Sequence, residues 1–192
     1  MPKSRKGRPK GDKRQRTRAR LLEAANLVIR QKGFYRTTLE DVARQAGMTR
    51  GAIYGNFRSR EDLFLSVLDT RWRPIVPLKE CATLREHLRA VGEAVVAAVP
   101  ARRAQALGAF SLQIYALTHE ATRARVADLN AEVYRRAGQR LAGQLPASEL
   151  PMPAEQFVLV LHALTDGLLS LRLVQPELLP DDLIVRAFEV MA

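Results

Sequence analysis

Apolar residues recur three and four positions apart along almost the whole chain from residue 13 onward, and this spacing limits the fold more than any other feature. Leu21, Ala25, Val28 and Ile29, for example, fall on one side of a helix. The alternation typical of a strand never continues for more than a few residues. The sequence therefore predicts an all-α protein. The expected helices cover residues 13–32, 38–46, 49–57, 59–72, 83–98, 102–118, 121–144, 154–174 and 181–191, with a break at Pro100.

Several expected helix ends carry residues with the chemistry of caps. Thr38 is an expected N-cap, with Asp41 at the third position of the helix that follows it. Gly33 and Gly47 fall where the chain must leave a helix through a left-handed turn, which glycine adopts at low cost. The segment GMT, residues 47–49, then joins two short helices and has the length of a helix-turn-helix turn. We therefore expect a helix-turn-helix over about residues 38–57.

Positive charge is concentrated at the N-terminus. The formal net charge is +11, and residues 1–20 hold ten lysines or arginines against one acidic residue, Asp12. From residue 61 onward, acidic residues slightly outnumber basic ones. Such an uneven distribution indicates a polyanionic partner for the N-terminal part. Residues 1–12 are expected to form a disordered basic arm, and the first helix to begin after Asp12.

The outer side of residues 49–57 has the composition of a surface that contacts duplex DNA. Gly51 and Gly55 weaken a helix, but their missing side chains let its backbone approach a phosphate chain. Thr49 and the free N–H groups that follow it can bind phosphate. Arg50 is suited to a base edge and Tyr54 to a phosphate. Backbone positioning is expected from Arg36, Thr38, Arg58 and Arg60.

The stretch RARLLEAANLVIRQKGFYRTTLEDVARQAGMTRGAIYGNFRSREDLF resembles the DNA-binding domain of the TetR family of bacterial transcriptional regulators. The resemblance implies an all-helical homodimer with a DNA-binding domain over 13–73 and a dimerisation and ligand-binding domain over 74–192. It covers about a quarter of the chain. By this resemblance, the DNA contacts fall on Thr38, Thr49, Arg50, Gly51, Ala52, Tyr54, Asn56, Phe57 and Arg60.

The segment 102–118 is apolar nearly all round and must be buried. Its polar residues Ser111 and Gln113 then need partners, which could be a ligand, other protein groups or water. Polar groups elsewhere could contribute to the same pocket or could be structural. The expected pocket residues are His87, Phe110, Gln113, Tyr115 and His119, and the effector that they would bind is expected to be partly apolar.

The segment 154–174 is apolar on more than one side, so one side can pack within the monomer and another across a two-fold axis. Together with 181–191 it could build a four-helix dimer bundle. His162 and Asp166 share a face, but two ligands are too few for a metal site, and we expect them to bond to each other or to line the interface. The expected interface residues are Val160, Ala163, Leu164, Gly167, Leu168, Leu171 and Phe188.

The sequence offers nothing that indicates an enzyme, because it contains no nucleophile–base pair, phosphate-binding loop, dinucleotide fingerprint or metal cluster. No cofactor is expected. A single cysteine, Cys81, and the lack of a signal peptide or long apolar run favour the cytoplasm and argue against a membrane partner. A basic arm before an amphipathic helix can also bind anionic lipid, and comparing liposome with duplex binding would separate the two cases.

The function expected from these features is sequence-specific transcriptional regulation through double-stranded DNA. In the first version, a homodimeric repressor leaves a palindromic operator when it binds a small-molecule effector. In the alternative, a DNA-binding regulator or architectural protein has no effector and acts through a protein partner. Loss of DNA affinity on adding a ligand would distinguish them.

Overall fold

The computed structural model describes residues 10–71, residue 75 and residues 81–192. Within these residues it contains helices and no strand, which confirms the predicted all-α class. The α-helices are α1 (Lys10–Lys32), α2 (Leu39–Gln45), α3 (Arg50–Tyr54), α4 (Arg60–Arg71), α5 (Leu84–Thr118), α6 (Glu120–Gln144), α7 (Ala154–Val174) and α8 (Asp181–Glu189), with short 3-10 helices at Ala147–Glu149 and Pro176–Leu178.

Three predicted helix boundaries are wrong, and one of them is the end of α3, which lies at Tyr54 rather than near residue 57. Helix α1 begins at Lys10, so residues 10–12 are helical, in keeping with the good helix formers that follow them. Helix α5 continues through Pro100. A proline inside a helix removes one hydrogen bond, and here apolar side chains such as Val95 and Val99 pack into the core just before it and favour the helix. The rest of the expected arm, residues 1–9, and the prolines expected to end α4 lie outside the described residues.

The chain divides into two compact units. The first contains the described residues up to Arg71 together with Leu107–Arg123, and the second contains the remaining described residues. The first unit therefore adds residues 107–123 to the segment that the sequence assigns to the DNA-binding domain.

The first unit is built around one apolar core that joins α1, α2, α3 and α4 to residues 107–123. Ile53 from α3 and Leu63 and Phe64 from α4 are fully buried in it. Gly33 ends α1 with a φ of +76°, and a Cβ there would stand 3.1 Å from the Cβ of Ser111. Glycine at this position therefore serves both the left-handed turn and the close approach of residues 107–123.

The second unit has its own core, formed by α5, α6, α7 and α8. Phe157 and Phe188 are among its fully buried side chains. At Gly92 a Cβ would lie 2.8 Å from the Cα of Val185, so α5 and α8 pack with their backbones close together. By length and composition α7 could also cross a bilayer, but the core helix of a globular protein passes the same test, and Phe157 and Leu161 of α7 are buried in this core.

Candidate nucleic-acid interface

Helices α2 and α3 begin with the predicted caps and are joined by the predicted turn. The hydroxyl of Thr38 accepts the Asp41 N–H at 3.1 Å, while the Asp41 carboxylate accepts the Thr38 N–H at 3.1 Å, which completes the capping box. The Thr49 hydroxyl accepts the Ala52 N–H at 3.3 Å. Gly47 adopts a φ of +62° between the two helices. The sequence therefore fixes both the start and the direction of α3.

Asp41 also ties α2 to α1. Its carboxylate pairs with the Lys32 ammonium and accepts a hydrogen bond from the Thr38 hydroxyl at 2.6 Å. These contacts, led by that with Lys32, lower the pKa of Asp41 from 3.8 to about 2. The ionised carboxylate is thus a structural part of the helix pair.

This lowered pKa makes the stability of the first unit depend on pH in the acid range. Because the folded-state pKa of Asp41 is lowered, its contribution is present above pH ~4 and is lost as the pH falls towards ~2. The Asp41→Asn variant should be less stable than wild type by about 1–2 kcal/mol at pH 7, and the difference should shrink over that acid window. Urea unfolding at a series of pH values measures it. A difference that stays constant down to pH ~2 would contradict the assignment.

Two arginines of α1 hold the ends of the helix pair. Arg20 donates to the carbonyl of Ala46 at 3.2 Å, at the end of α2. Arg18 donates to the carbonyl of Asn56 at 2.9 Å and to the Ser66 hydroxyl at 2.6 Å. These residues belong to the basic N-terminal region, yet their guanidinium groups bond to other groups of the same unit and help to fix the position of α3.

The predicted DNA-contacting residues of α3 share an exposed surface. The Arg50 side chain is 74% exposed and the Tyr54 residue 50%. Ile53, on the opposite side of the same helix, is fully buried. Ala52 and Asn56 are half-buried, and the Asn56 amide nitrogen donates to the carbonyl of Ala52 at 2.8 Å. The remaining exposed residues of this predicted set are Arg36, Thr38, Thr49, Gly51 and Arg58.

Two further members of the predicted set turn inward. Phe57 is only 1% exposed, and its ring lies under the Arg18 guanidinium at 4.4 Å. The half-buried Arg60 donates to the carbonyl of Phe34 at 2.9 Å and lies over the Phe64 ring at 5.0 Å. The structure thus places both side chains against the core of the first unit rather than with Arg50 and Tyr54.

One residue of this surface was not predicted. Glu40, in the first turn of α2, accepts hydrogen bonds from Arg50 at 3.0 Å and from the Tyr54 hydroxyl at 2.9 Å, both at the same carboxylate oxygen. In the sequence it looks like an ordinary acidic residue favoured at a helix N-terminus. The signal that could have found it is the (i, i+4) spacing of Arg50 and Tyr54, which places both on the side of α3 that α2 can reach.

An aromatic cluster lies behind the helix pair, within the first unit. The Tyr115 ring contacts those of Phe34, Phe64 and His119, with its centroid 3.6 Å from that of His119. The Tyr35 hydroxyl lies 2.9 Å from the Thr118 hydroxyl. The end of α5 is therefore bound to the loop between α1 and α2 and to α4.

The expected pocket residues do not form one group. His87 belongs to the second unit, where burial, and then the nearby Arg140, lowers its pKa. Phe110, Gln113, Tyr115 and His119 belong to the first unit. Tyr115 is only 5% exposed and is part of the core, whereas Gln113 is exposed. Ser111 is satisfied by protein, since its hydroxyl accepts the Phe34 N–H and donates to the Gly108 carbonyl, each at 3.0 Å.

The expected interface residues differ in exposure. Leu168 is buried within the second unit and Phe188 has no exposed surface, so neither presents itself to a partner. Leu164 is half-buried. His162 and Asp166 bond to each other as expected, at 3.3 Å, and His162 also contacts the Tyr134 hydroxyl at 2.5 Å. The exposed members on α7 are Val160, Ala163, Gly167 and Leu171.

Helices α2 and α3, their glycine turn and the exposed polar side of α3 define a helix-turn-helix protein. The family model described as "Bacterial regulatory proteins, tetR family" matches residues 21–67, which span α2 and α3 and most of α1 and α4. Over these residues the chain is similar to the TetR family of transcriptional regulators.

A curated relative shows the same likeness. The transcriptional regulator TtgR of Pseudomonas putida is 46% identical over 56 residues, which are 29% of this chain and 27% of TtgR. The chain thus matches about a quarter of the length of that curated relative.

Solved structures extend the likeness over nearly the whole chain. A TetR-family regulator from Cytophaga hutchinsonii shares the fold with a TM-score of 0.71 over 93% of this chain and 94% of its own, at 21% identity. NalD, the secondary repressor of the MexAB-OprM multidrug efflux pump in Pseudomonas aeruginosa, gives a TM-score of 0.58 at 29% identity, over 92% of this chain and 95% of its own.

Proposed function

We propose that this protein is a sequence-specific repressor that binds a palindromic operator as a homodimer and leaves it on binding a small-molecule effector. The single observation that carries the DNA-binding part is the exposed side of α3, with Arg50 and Tyr54 pointing away from a helix whose Ile53 is buried. A helix presented in this way can enter the major groove, where its N-terminal residues meet base edges.

The exposed residues divide naturally between bases and backbone. Arg50 can donate two hydrogen bonds to the O6 and N7 atoms of guanine. Tyr54 can donate to a phosphate, and Arg36, Arg58 and the N–H groups after Thr49 can fix the backbone. Gly51 has no side chain to hold the duplex away from α3. The backbone contacts would supply affinity, and Arg50 would supply sequence preference.

The homodimer is proposed from α7. Its exposed residues Val160, Ala163, Gly167 and Leu171 recur three and four positions apart, so they lie along one side of the helix. The small residues Ala163 and Gly167 stand one turn apart and would allow a second helix to approach closely. Two copies paired in this way would present two α3 helices to half-sites about 34 Å apart.

The repressor part is supported by the names of relatives. NalD is described as the secondary repressor of the MexAB-OprM multidrug efflux pump, and a protein of Escherichia coli (strain K12) as a probable acrEF/envCD operon repressor. An effector would act only if it bound a conformation that is unable to grip DNA more tightly than one that can. The alternative remains a regulator without an effector that acts through a protein partner. A cytoplasmic location follows from either version.

Selection of duplexes from a random library by the purified full chain tests the proposal. The expected result is an enriched motif with two inverted half-sites whose centres are about one helical turn apart. Enrichment of a single half-site would contradict the homodimer, and the lack of any enriched sequence would contradict specific recognition altogether. Adding candidate small molecules to the bound complex then separates the effector-responsive repressor from the regulator without an effector, because only the repressor is expected to release its DNA.

The Arg50→Ala variant should bind the selected operator about 1–3 kcal/mol more weakly and lose preference at one base position in each half-site. The physical reason is loss of the guanidinium donors at a base edge. Selection from the same library, followed by fluorescence anisotropy, measures both effects. Arg136→Ala on α6 removes the same charge from the second unit and is the matched control. An unchanged base preference in Arg50→Ala would show that Arg50 does not contact bases.

A further inference from the structure

We propose that Glu40 is a specificity-determining positioning residue, which holds Arg50 away from the DNA backbone and directs its guanidinium to a base edge. This inference rests on the proposed DNA-binding function. It concerns a residue of α2 that would act through two residues of α3.

The geometry places one acceptor between two exposed donors of the interface, Arg50 and Tyr54. The same Glu40 oxygen accepts from Arg50 Nη2 at 3.0 Å and from the Tyr54 hydroxyl at 2.9 Å. Charge-assisted bonds of this kind fix a side chain better than neutral ones. The Arg50 side chain would otherwise be free to choose among many rotamers, and losing that freedom on binding costs free energy. Glu40 therefore prepares one orientation before DNA arrives.

The bond leaves part of the Arg50 guanidinium available. Only Nη2 is engaged by Glu40, so the other guanidinium nitrogens can still donate to a base. The Tyr54 hydroxyl, in contrast, has a single proton and donates it in the hydrogen bond to Glu40. A phosphate can accept a hydrogen bond from Tyr54 only by displacing the Glu40 carboxylate. The two donors are thus affected differently, because Arg50 keeps donors for a base edge while Tyr54 must exchange one acceptor for another.

The charge of Glu40 adds a second effect. Its side chain is 37% exposed, on the same surface as Arg50. The hydrogen bond to its own backbone, and then those from Tyr54 and Arg50, lower the pKa of Glu40, so it is ionised at neutral pH. An ionised carboxylate beside Arg50 repels phosphates and offsets the attraction that the guanidinium exerts on any duplex. The result would be weaker binding to DNA in general and a larger difference between operator and other sequences.

Helix capping alone does not require this arrangement. The start of α2 is already capped by the reciprocal bonds of Thr38 and Asp41. Glu40 is in the first turn, where an acidic side chain is favourable near the helix dipole, but that role needs neither Arg50 nor Tyr54 as a partner. A carboxylate that serves only the helix would be expected to leave base preference unchanged when it is removed.

The experiment compares Glu40→Ala and Glu40→Gln with the wild-type full chain on two duplexes, the operator selected by the wild type and an unrelated sequence. For Glu40→Ala we expect binding to the unrelated duplex to strengthen several-fold, the operator-to-unrelated ratio to fall about tenfold, and preference to relax at one base position. The slope of log affinity against log salt should steepen by up to ~0.9, because Arg50 becomes free to bind a phosphate.

Glu40→Gln separates charge from geometry. Its side-chain oxygen can still accept from Arg50 and Tyr54, so the base preference and the salt slope should largely remain, while binding to both duplexes strengthens because the carboxylate charge is removed. Glu23→Gln removes one negative charge from the exposed surface of α1 and is the matched control. If Glu23→Gln changed DNA binding as much as Glu40→Gln does, net charge alone would explain the effect. That result would overturn the inference.

The remaining outcomes also decide. An unchanged base preference and salt slope in Glu40→Ala would overturn the inference, as would an equal loss of affinity for both duplexes, since that is the result of structural damage. Urea unfolding of each variant identifies such damage. If the wild type itself prefers no sequence, the proposed DNA-binding function fails first, and that result is distinguishable because it appears without any substitution.

Discussion

Replacing Tyr115 with alanine is expected to lower the free energy of unfolding of the first unit by about 3–5 kcal/mol, as for other large buried aromatic side chains. The ring is part of the core and contacts Phe34, Phe64 and His119. Alanine would leave a cavity that these neighbours can fill only in part. A residue of α5, far from α3 in the sequence, would thus control the stability of the unit that contains α3.

Tyr115→Phe separates this structural role from the predicted role in effector binding. Phenylalanine keeps the ring and its packing, so most of the stability should remain. Urea unfolding followed by circular dichroism measures the stability of both variants. If Tyr115→Phe were folded and bound DNA normally but no longer responded to an effector, the hydroxyl would belong to an effector site. If Tyr115→Ala were as stable as wild type, the packing role would be excluded.

The helix ends of the first unit could be predicted because their signals are local. Thr38 caps α2 as expected and shares a capping box with Asp41, and Gly33 and Gly47 adopt the expected positive φ. Each depends on bonds or dihedral angles within a few residues, so neighbouring sequence contains what is needed. The exposed and buried sides of α3 follow in the same way from its helical spacing.

The continuity of α5 could not be predicted, because it depends on packing beyond the local sequence. A proline disfavours helix at the preceding residue, which is why a break at Pro100 was expected. The apolar side chains of Val95 and Val99 pack against residues distant in sequence. Tertiary packing of this kind routinely overrides local propensity.

The partners of the polar interface residues are also hard to predict, because they lie far apart in the sequence. The contact of Glu40 with Arg50 joins residues ten positions apart across the α2–α3 turn, and that of Arg18 with Asn56 joins residues 38 apart. No pattern in the sequence distinguishes an arginine that serves the core from one that serves DNA. The number of positive charges near the N-terminus therefore overstates how many of them are available to a duplex.

Phe57 provides the sharpest test of this distinction, because the resemblance places it among DNA contacts and the structure places it in the core. Phe57→Ala should lower the free energy of unfolding of the first unit by about 3–5 kcal/mol. Part of this loss would come from the contact between the ring and the Arg18 guanidinium, since cation–π contacts contribute about 0.5–2 kcal/mol. The affected region includes the end of α3, so DNA binding should fall with the folded fraction.

Two further variants, Phe57→Leu at the buried side and Tyr54→Ala at the exposed side, separate stability from DNA binding. Leucine keeps much of the buried volume at Phe57, so each folded molecule should bind the operator nearly as well as wild type. Tyr54 is exposed, so its removal should change stability little while weakening operator binding by about 0.5–1.5 kcal/mol through its lost hydrogen bond. Urea unfolding and fluorescence anisotropy on the same samples give both quantities. A stable Phe57→Leu variant with greatly reduced operator affinity would show that the ring touches DNA and that α3 lies differently in the complex.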